Sequence, residues 1–175
     1  MVGSSWHRGC PVALADLRLL KLRHRGFDGS VRTGFMVVHE TAARRVLRVF
    51  RRLFNVGFRI RRMRLVDAYG ADDHRSMNAD NTSAFNCREV AGRPGVWSRH
   101  AFGRAIDINP IENPYVSGGH VSPPRGRPFA DRKPRRKGMI GPNTIVVRYF
   151  AAVGWEWGGF WSGEKDYQHF SASGR

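Results

Sequence analysis

Leu17–Arg25 and Val31–His39 are strand-like runs that mix apolar with polar and basic positions, and Asp28-Gly29 between them suits a tight reversal, so the pattern predicts a β-hairpin. The pattern then changes. Across residues 41–54, Ala43, Val46, Leu47, Phe50, Leu53 and Phe54 recur at helical spacing while Arg44, Arg45, Arg48, Arg51 and Arg52 point elsewhere, which predicts an amphipathic helix with a basic outer face. That face reads as solvated surface, with contact to an anionic polymer as the alternative. Residues 58–66 are apolar and basic by turns with one break, the mark of a bulged strand. Residues 69–94, rich in Asp, Asn, Ser and Gly, read as a long loop.

Further along, Ala105-Ile106-Asp107-Ile108-Asn109 alternates as a short strand, which puts Ile106 and Ile108 on one face and turns Asp107 to the other. Residues 117–138 combine prolines, glycines and a cluster of arginines and lysines, and read as a mobile loop beside a cleft, placed for electrostatic capture. Pro142-Asn143 opens a helix with Ile145, Val146, Tyr149, Phe150 and Val153 along one face and Gly154 as its stop. The last strands carry Trp155, Trp157 and Asp166-Tyr167-Gln168-His169-Phe170. Perfect alternation would set Asp166 and His169 on opposite faces, so Asp166 is expected in a turn after Gly163. The mixture predicts an α+β fold, a small antiparallel sheet flanked by helices. At 175 residues the chain fits one domain, with residues 1–16 as an extended N-terminal arm.

Charge adds a second constraint. There are 30 Lys plus Arg against 14 Asp plus Glu, a formal +16, which favours anionic partners such as cell-wall polymers or nucleic acid. No zinc-finger or helix-turn-helix signature appears, so a nucleic-acid reading has little beyond the charge. No run is long enough to span a membrane, and the N-terminus lacks the apolar core of a secretory signal. Export by another route, or removal of a signal, is therefore expected. Cys10 and Cys87 leave two options open, one disulfide or two thiols.

Chemistry concentrates in two segments. Ser98-Arg99-His100-Ala101-Phe102-Gly103-Arg104-Ala105-Ile106-Asp107 and the element ending in His169-Phe170 offer two imidazoles and a carboxylate. A catalytic zinc takes about three such ligands and keeps one position open for water, whereas a closed Cys-rich site is excluded by the presence of only two cysteines. Gly103 lies between His100 and Asp107, where a bend would let both converge. Asp166 is the candidate general base, and Glu156, between Trp155 and Trp157, is its rival. Arg88 is a candidate for gripping a substrate carboxylate or an oxyanion, with a surface role as the alternative. His7, His24, His39, His74 and His120 read as surface residues, His120 with a reserve role as ligand.

At these residues the chain resembles the zinc D-alanyl-D-alanine carboxypeptidase and L-alanyl-D-glutamate endopeptidase family of bacteria and phages, relatives of the vancomycin-resistance dipeptidases and of the hedgehog fold. The family pattern Ser-x-His-x-x-Gly-x-Ala-x-Asp matches at Ser98, His100, Gly103, Ala105 and Asp107, and Asp166 to Phe170 resembles its Asp/Glu-x-x-His-Phe element. Likeness extends through Asn81 to Arg88, Asn109 to Tyr115 and Gly154 to Gly159. The resemblance implies Zn2+ held on the sheet by His100, Asp107 and His169, with Asp166 as base and Ser98 touching substrate. Ser98 also reads as a turn residue bonded to its own backbone.

The implied function is a monomeric zinc peptidase that cuts peptidoglycan stem peptides at D-Ala-D-Ala or L-Ala-D-Glu, and Asp rather than Glu at position 166 looks like the second, endolysin branch. Action outside the cytoplasm or in the cell wall follows, with a phage lysis enzyme as one source. Three alternatives stand beside it: a zinc-holding wall-binding module without activity, a non-haem iron oxygenase, whose first His and acid normally lie only two positions apart, and a nucleic-acid binder.

Overall fold

The computed structural model describes residues 4–174, and in it the two strand-like runs pair as expected. Strands β1 (Leu17–Arg25) and β2 (Val31–His39) form an antiparallel ladder from Leu17 opposite His39 to Arg25 opposite Val31. Helix α1 (Glu40–Asn55) starts without a linker, because the His39 imidazole caps it by accepting from the Thr41 amide at 3.2 Å. Its buried stripe is Ala42, Val46, Val49, Phe50 and Leu53. Leu47, expected in that stripe, is instead 42% exposed. One residue past Val46 is about 100° of rotation, which carries Leu47 round to the arginine side.

The expected strand over 58–66 is an extended segment with only isolated bridges, Arg25 to Arg59 and Arg62 to Asn81. Ile60 and Met63 are both buried and lie three apart, a spacing that a regular strand would place on opposite faces. The expected loop over 69–94 contains a short helix, α2 (Asp73–Asn78), capped by the Asp72 carboxylate at the Arg75 amide. Only Ser76 of α2 is buried, so no apolar period announces it. A hairpin follows, β3 (Glu89–Val90) with β4 (Arg93–Trp97).

Strand β5 (Ala105–Asp107) lies inside the molecule, and β6 (Tyr115–Ser117) and β7 (His120–Ser122) make another hairpin. The expected mobile loop of 117–138 is thus partly strand. Its centre is tied down by Arg132, which donates to the carbonyls of Glu112, Phe129 and Ile140 and to Asn113 Oδ1 at 2.7 to 3.0 Å. That guanidinium lies over the Tyr167 ring, and burial lowers its pKa to about 10, so it acts as an internal brace rather than a capture site.

Helix α3 (Ile145–Ala151) ends before Gly154, whose φ of +79° reverses the chain into β8 (Glu156–Trp157), β9 (Lys165–Asp166) and β10 (His169–Ser171). The architecture is α+β, but the described residues form four small antiparallel sheets rather than one: β1-β2, β3-β4, β5-β10-β8 and β7-β6-β9. One apolar core joins α1, the hairpin, α3 and the central sheet. Phe150 stacks on Phe170 with centroids 4.0 Å apart and meets Phe50 edge-on at 6.4 Å, and each such pair adds about 1 kcal/mol beyond simple burial. A second cluster gathers Val12, Leu17, Val37, Phe85 and Cys87, and a Cys10–Cys87 disulfide fastens the N-terminal segment to it. His24 of β1, expected at the surface, is buried at 4% exposure, and burial followed by Arg32 depresses its pKa. Among the described residues, no helix is long and apolar enough to cross a membrane.

Candidate metal centre

Strand β10 is the middle strand of its sheet, and alternation along it does two jobs. Phe170 faces the core opposite Ile106, while the neighbouring His169 faces away from it, opposite Asp107 on β5. Directly opposed residues share a face, so the ladder register alone brings this imidazole to this carboxylate. His169 Nδ1 lies 3.1 Å from Asp107 Oδ1. His100 arrives from a 3-10 turn, Arg99–Phe102, that Ser98 caps and Gly103 ends. Gly103 has φ +63°, and a Cβ there would stand 2.5 Å from the His39 amide nitrogen, so only glycine lets the turn press against β2. His100 Nε2 comes 3.2 Å from Asp107 Oδ2. The three residues are buried, and their candidate ligand atoms lie within 4.8 Å of one another.

The hydrogen-bonding chemistry of the trio suits a shared proton or a bound cation. His100 Nδ1 is 2.6 Å from the Ala84 carbonyl oxygen, which only accepts, so Nδ1 carries a proton. In the neutral ring Nε2 then presents a lone pair to a carboxylate, and two acceptors at 3.2 Å repel unless a proton or metal lies between them. Burial works against charging His100, but Asp107 outweighs it and raises the pKa. Burial likewise works against charging Asp107, and the two imidazoles together hold it far below the usual carboxylate range. His169 Nε2 is buried with no partner among the described residues. Ligands about 2.0–2.2 Å from a tetrahedral zinc would lie roughly 3.3–3.6 Å apart, and the two imidazole contacts to Asp107, at 3.1 and 3.2 Å, come close to that. The residues fit the ion.

Asp166 opens into the same cleft as the trio, although it does not sit in a turn after Gly163. It belongs to β9, paired with Tyr115 of β6, while His169 belongs to another sheet. The change of sheet at Tyr167-Gln168 overrides the face rule that applies within one strand. Its Oδ1 is buried with no partner among the described residues, and burial, then the Asp107 charge, pushes its pKa up to about 7. Glu156 is exposed while Trp155 and Trp157 are buried, and it is not part of the cleft.

Arg88 and Ser98 also line the cleft. Arg88 pairs with Asp73 of α2 at 2.7 Å, and its Nε is buried with no partner among the described residues. The Ser98 hydroxyl accepts from the His100 amide at 3.3 Å. Of the other histidines, His74 and His120 are exposed on the cleft walls, and His120 is not in the trio. Asp73, Tyr115 and Trp161 are cleft residues that sequence reasoning passed over. Trp161 lies 5.4 Å from the His169 ring and follows Gly158-Gly159-Phe160, an aromatic after glycines that offered a weak signal. The cleft measures about 1230 Å³, more than the roughly 300–1,000 Å³ of ordinary small-molecule pockets.

Residues 91–172 match the sequence model of a family described as D-alanyl-D-alanine carboxypeptidase. No curated protein and no solved structure matches the chain. The matched stretch contains Ser98, His100, Asp107, Asp166 and His169 but not Arg88.

Proposed function

We propose, from the premise that residues 91–172 belong to the D-alanyl-D-alanine carboxypeptidase family, that this chain is a zinc peptidase hydrolysing the stem peptides of peptidoglycan. The observation that carries the reading is the buried convergence of His100 Nε2, Asp107 and His169, with contacts of 3.1 to 3.2 Å to the carboxylate, a set of donors that a cation fits. His100, Asp107 and His169 would hold the zinc. The chemistry such an ion supplies when bound is Lewis acidity.

The other steps belong to the chain. The Ala84 carbonyl fixes the His100 tautomer, so that Nε2 is presented as a ligand, and buried Asp107 stays ionised. Asp166, with a carboxyl pKa near 7 and one oxygen without a partner among the described residues, takes the proton of the attacking water and gives it to the departing amine. Arg88, positioned by Asp73, offers Nε to a substrate carboxylate or to the developing oxyanion. Ser98 orients the His100 turn and touches substrate from the cleft wall.

Asp at position 166 supports cleavage of L-Ala-D-Glu, and the roomy cleft accommodates several residues of a stem peptide. The peptidase works as one domain and a monomer in the cell wall, outside the cytoplasm. Digestion of purified muropeptides followed by mass spectrometry tests this reading. New termini at L-Ala/D-Glu are expected, termini at D-Ala/D-Ala would reassign the bond, and a protein that holds zinc yet releases no peptide would be a binding module.

A further inference from the structure

The formal +16 is not explained by the cleft, whose acids include Asp73, Glu89, Asp107, Glu164 and Asp166. Part of the excess lies on helix α1. On α1, Arg44, Arg45, Arg48, Arg51 and Arg52 are all exposed, and none of them lines the cleft. The helix has one acid, Glu40, and Arg18 of β1 already occupies it at 2.6 Å. Arg52 covers the Tyr149 ring, whereas among the described residues Arg44, Arg45, Arg48 and Arg51 have no acidic partner. Arg44, Arg48 and Arg51 share one line of the helix over about 10 Å of its axis. Clustering like charges on a surface costs free energy, and an external polyanion relieves that cost.

We infer that the outer face of α1 is a docking surface for a wall polymer of repeating phosphodiester units, which holds the peptidase on its insoluble substrate. The choice of a wall polymer rests on the peptidase reading above; the need for a polyanion does not. Phosphate suits the row because the cations are guanidiniums, which bind phosphate oxygens in pairs, and only four of the chain's 30 basic residues are lysine. A bilayer is a poorer occupant. A helix lying in a membrane surface gives its apolar face to lipid, and here Ala42, Val46, Val49, Phe50 and Leu53 are committed to the core. Nucleic acid is poorer too. Single strands are gripped by aromatic rings open to bases, and the rings beside this face are capped by arginines, Phe54 by Arg23 and Arg25 and Tyr149 by Arg52.

The test measures binding of the zinc-loaded protein to a purified glycerol-phosphate polymer, and to cell walls before and after acid removal of their phosphodiester polymers. The polymer and the untreated walls should bind, stripped walls should bind at least about tenfold more weakly, and affinity should fall steeply with salt. Replacing Arg44→Gln, Arg48→Gln and Arg51→Gln together should lower affinity at least about tenfold and reduce the log–log salt slope by about 2. Hydrolysis of soluble muropeptides should stay unchanged in that triple variant. Equal binding to stripped walls, an unaltered salt slope in the variant, or tighter binding to duplex DNA or anionic vesicles at matched phosphate concentration overturns the inference. Because muropeptide turnover is read separately, inactivity of the wild-type protein condemns the peptidase reading, while a failed salt slope condemns only the docking surface.

Discussion

Asp107 and His169 stand opposite each other across β5 and β10, with Nδ1 and Oδ1 3.1 Å apart, and one residue further the same ladder sets Ile106 against Phe170 in the core. The cluster is thereby anchored by packing. Phe170 is fully buried and stacked on Phe150, so the β10 backbone cannot shift without opening the core.

Replacing His100, Asp107 or His169 by Ala should each remove bound zinc. The loss should exceed the roughly 10–100-fold typical of disturbing a ligand's supporting partner. Metal analysis after dialysis, together with muropeptide hydrolysis, measures it. A His100→Ala protein with full zinc content and full turnover would remove the assignment.

Asp166→Asn should separate base from ligand. Zinc content should stay at one equivalent while kcat falls about 10²–10⁴-fold, the usual worth of a positioned acid or base. A parallel loss of zinc and activity would instead make Asp166 a ligand.

Glu112 is a source of pH-dependent stability outside the cleft. Its side chain is buried beside Asp80, both share Arg61, at 3.0 and 3.2 Å, and burial, then Asp80, pushes the Glu112 pKa up to about 8. A carboxyl whose pKa is higher folded than unfolded binds its proton more tightly in the native state. Its contribution is thus complete below the unfolded value near 4.5 and is lost as pH rises toward 8. Urea unfolding of Glu112→Gln should show a flatter stability profile between those pH values than the wild type. An unchanged slope would mean that Glu112 is not the group responsible.

The Cys10–Cys87 disulfide spans 77 residues of chain, and the loop-entropy relation assigns a crosslink of that length about 4.5 kcal/mol as an upper figure. Cys10→Ser with Cys87→Ser should lower unfolding free energy by roughly 2–4 kcal/mol. Because Arg88 follows Cys87 directly, KM for muropeptides should rise more than kcat falls. Steady-state kinetics of the double variant decide whether that coupling exists.

Gly103→Ala tests the approach of the His100 turn to β2. The missing Cβ would collide with the His39 amide, and φ +63° is costly for alanine, so a destabilisation above about 1 kcal/mol and weakened zinc binding are expected. Wild-type behaviour would show that the turn has room to move.

Much of this protein is decided locally and is legible in its residues. The hairpin strands occupy the two strand-like runs on either side of Asp28-Gly29, α1 begins where the apolar spacing becomes helical, Gly154 ends the segment of α3, and the spacing from Ser98 to Asp107 nominates two members of the trio. These features depend on backbone preference and on which side of a short element is apolar, and neighbours in sequence set both. The convergence of His169 and Asp166 is different. It depends on β10 entering the sheet beside β5 while β9 pairs with β6, a partition among four sheets that no single segment encodes. Likewise α2, with its Asp73 at Arg88, has no apolar stripe, and Leu47 left its expected face because α1 turned to meet the hairpin. Long-range burial chose those arrangements: the pairing that buries Ile106, Phe150 and Phe170 together fixes where every polar side chain on the other faces must point.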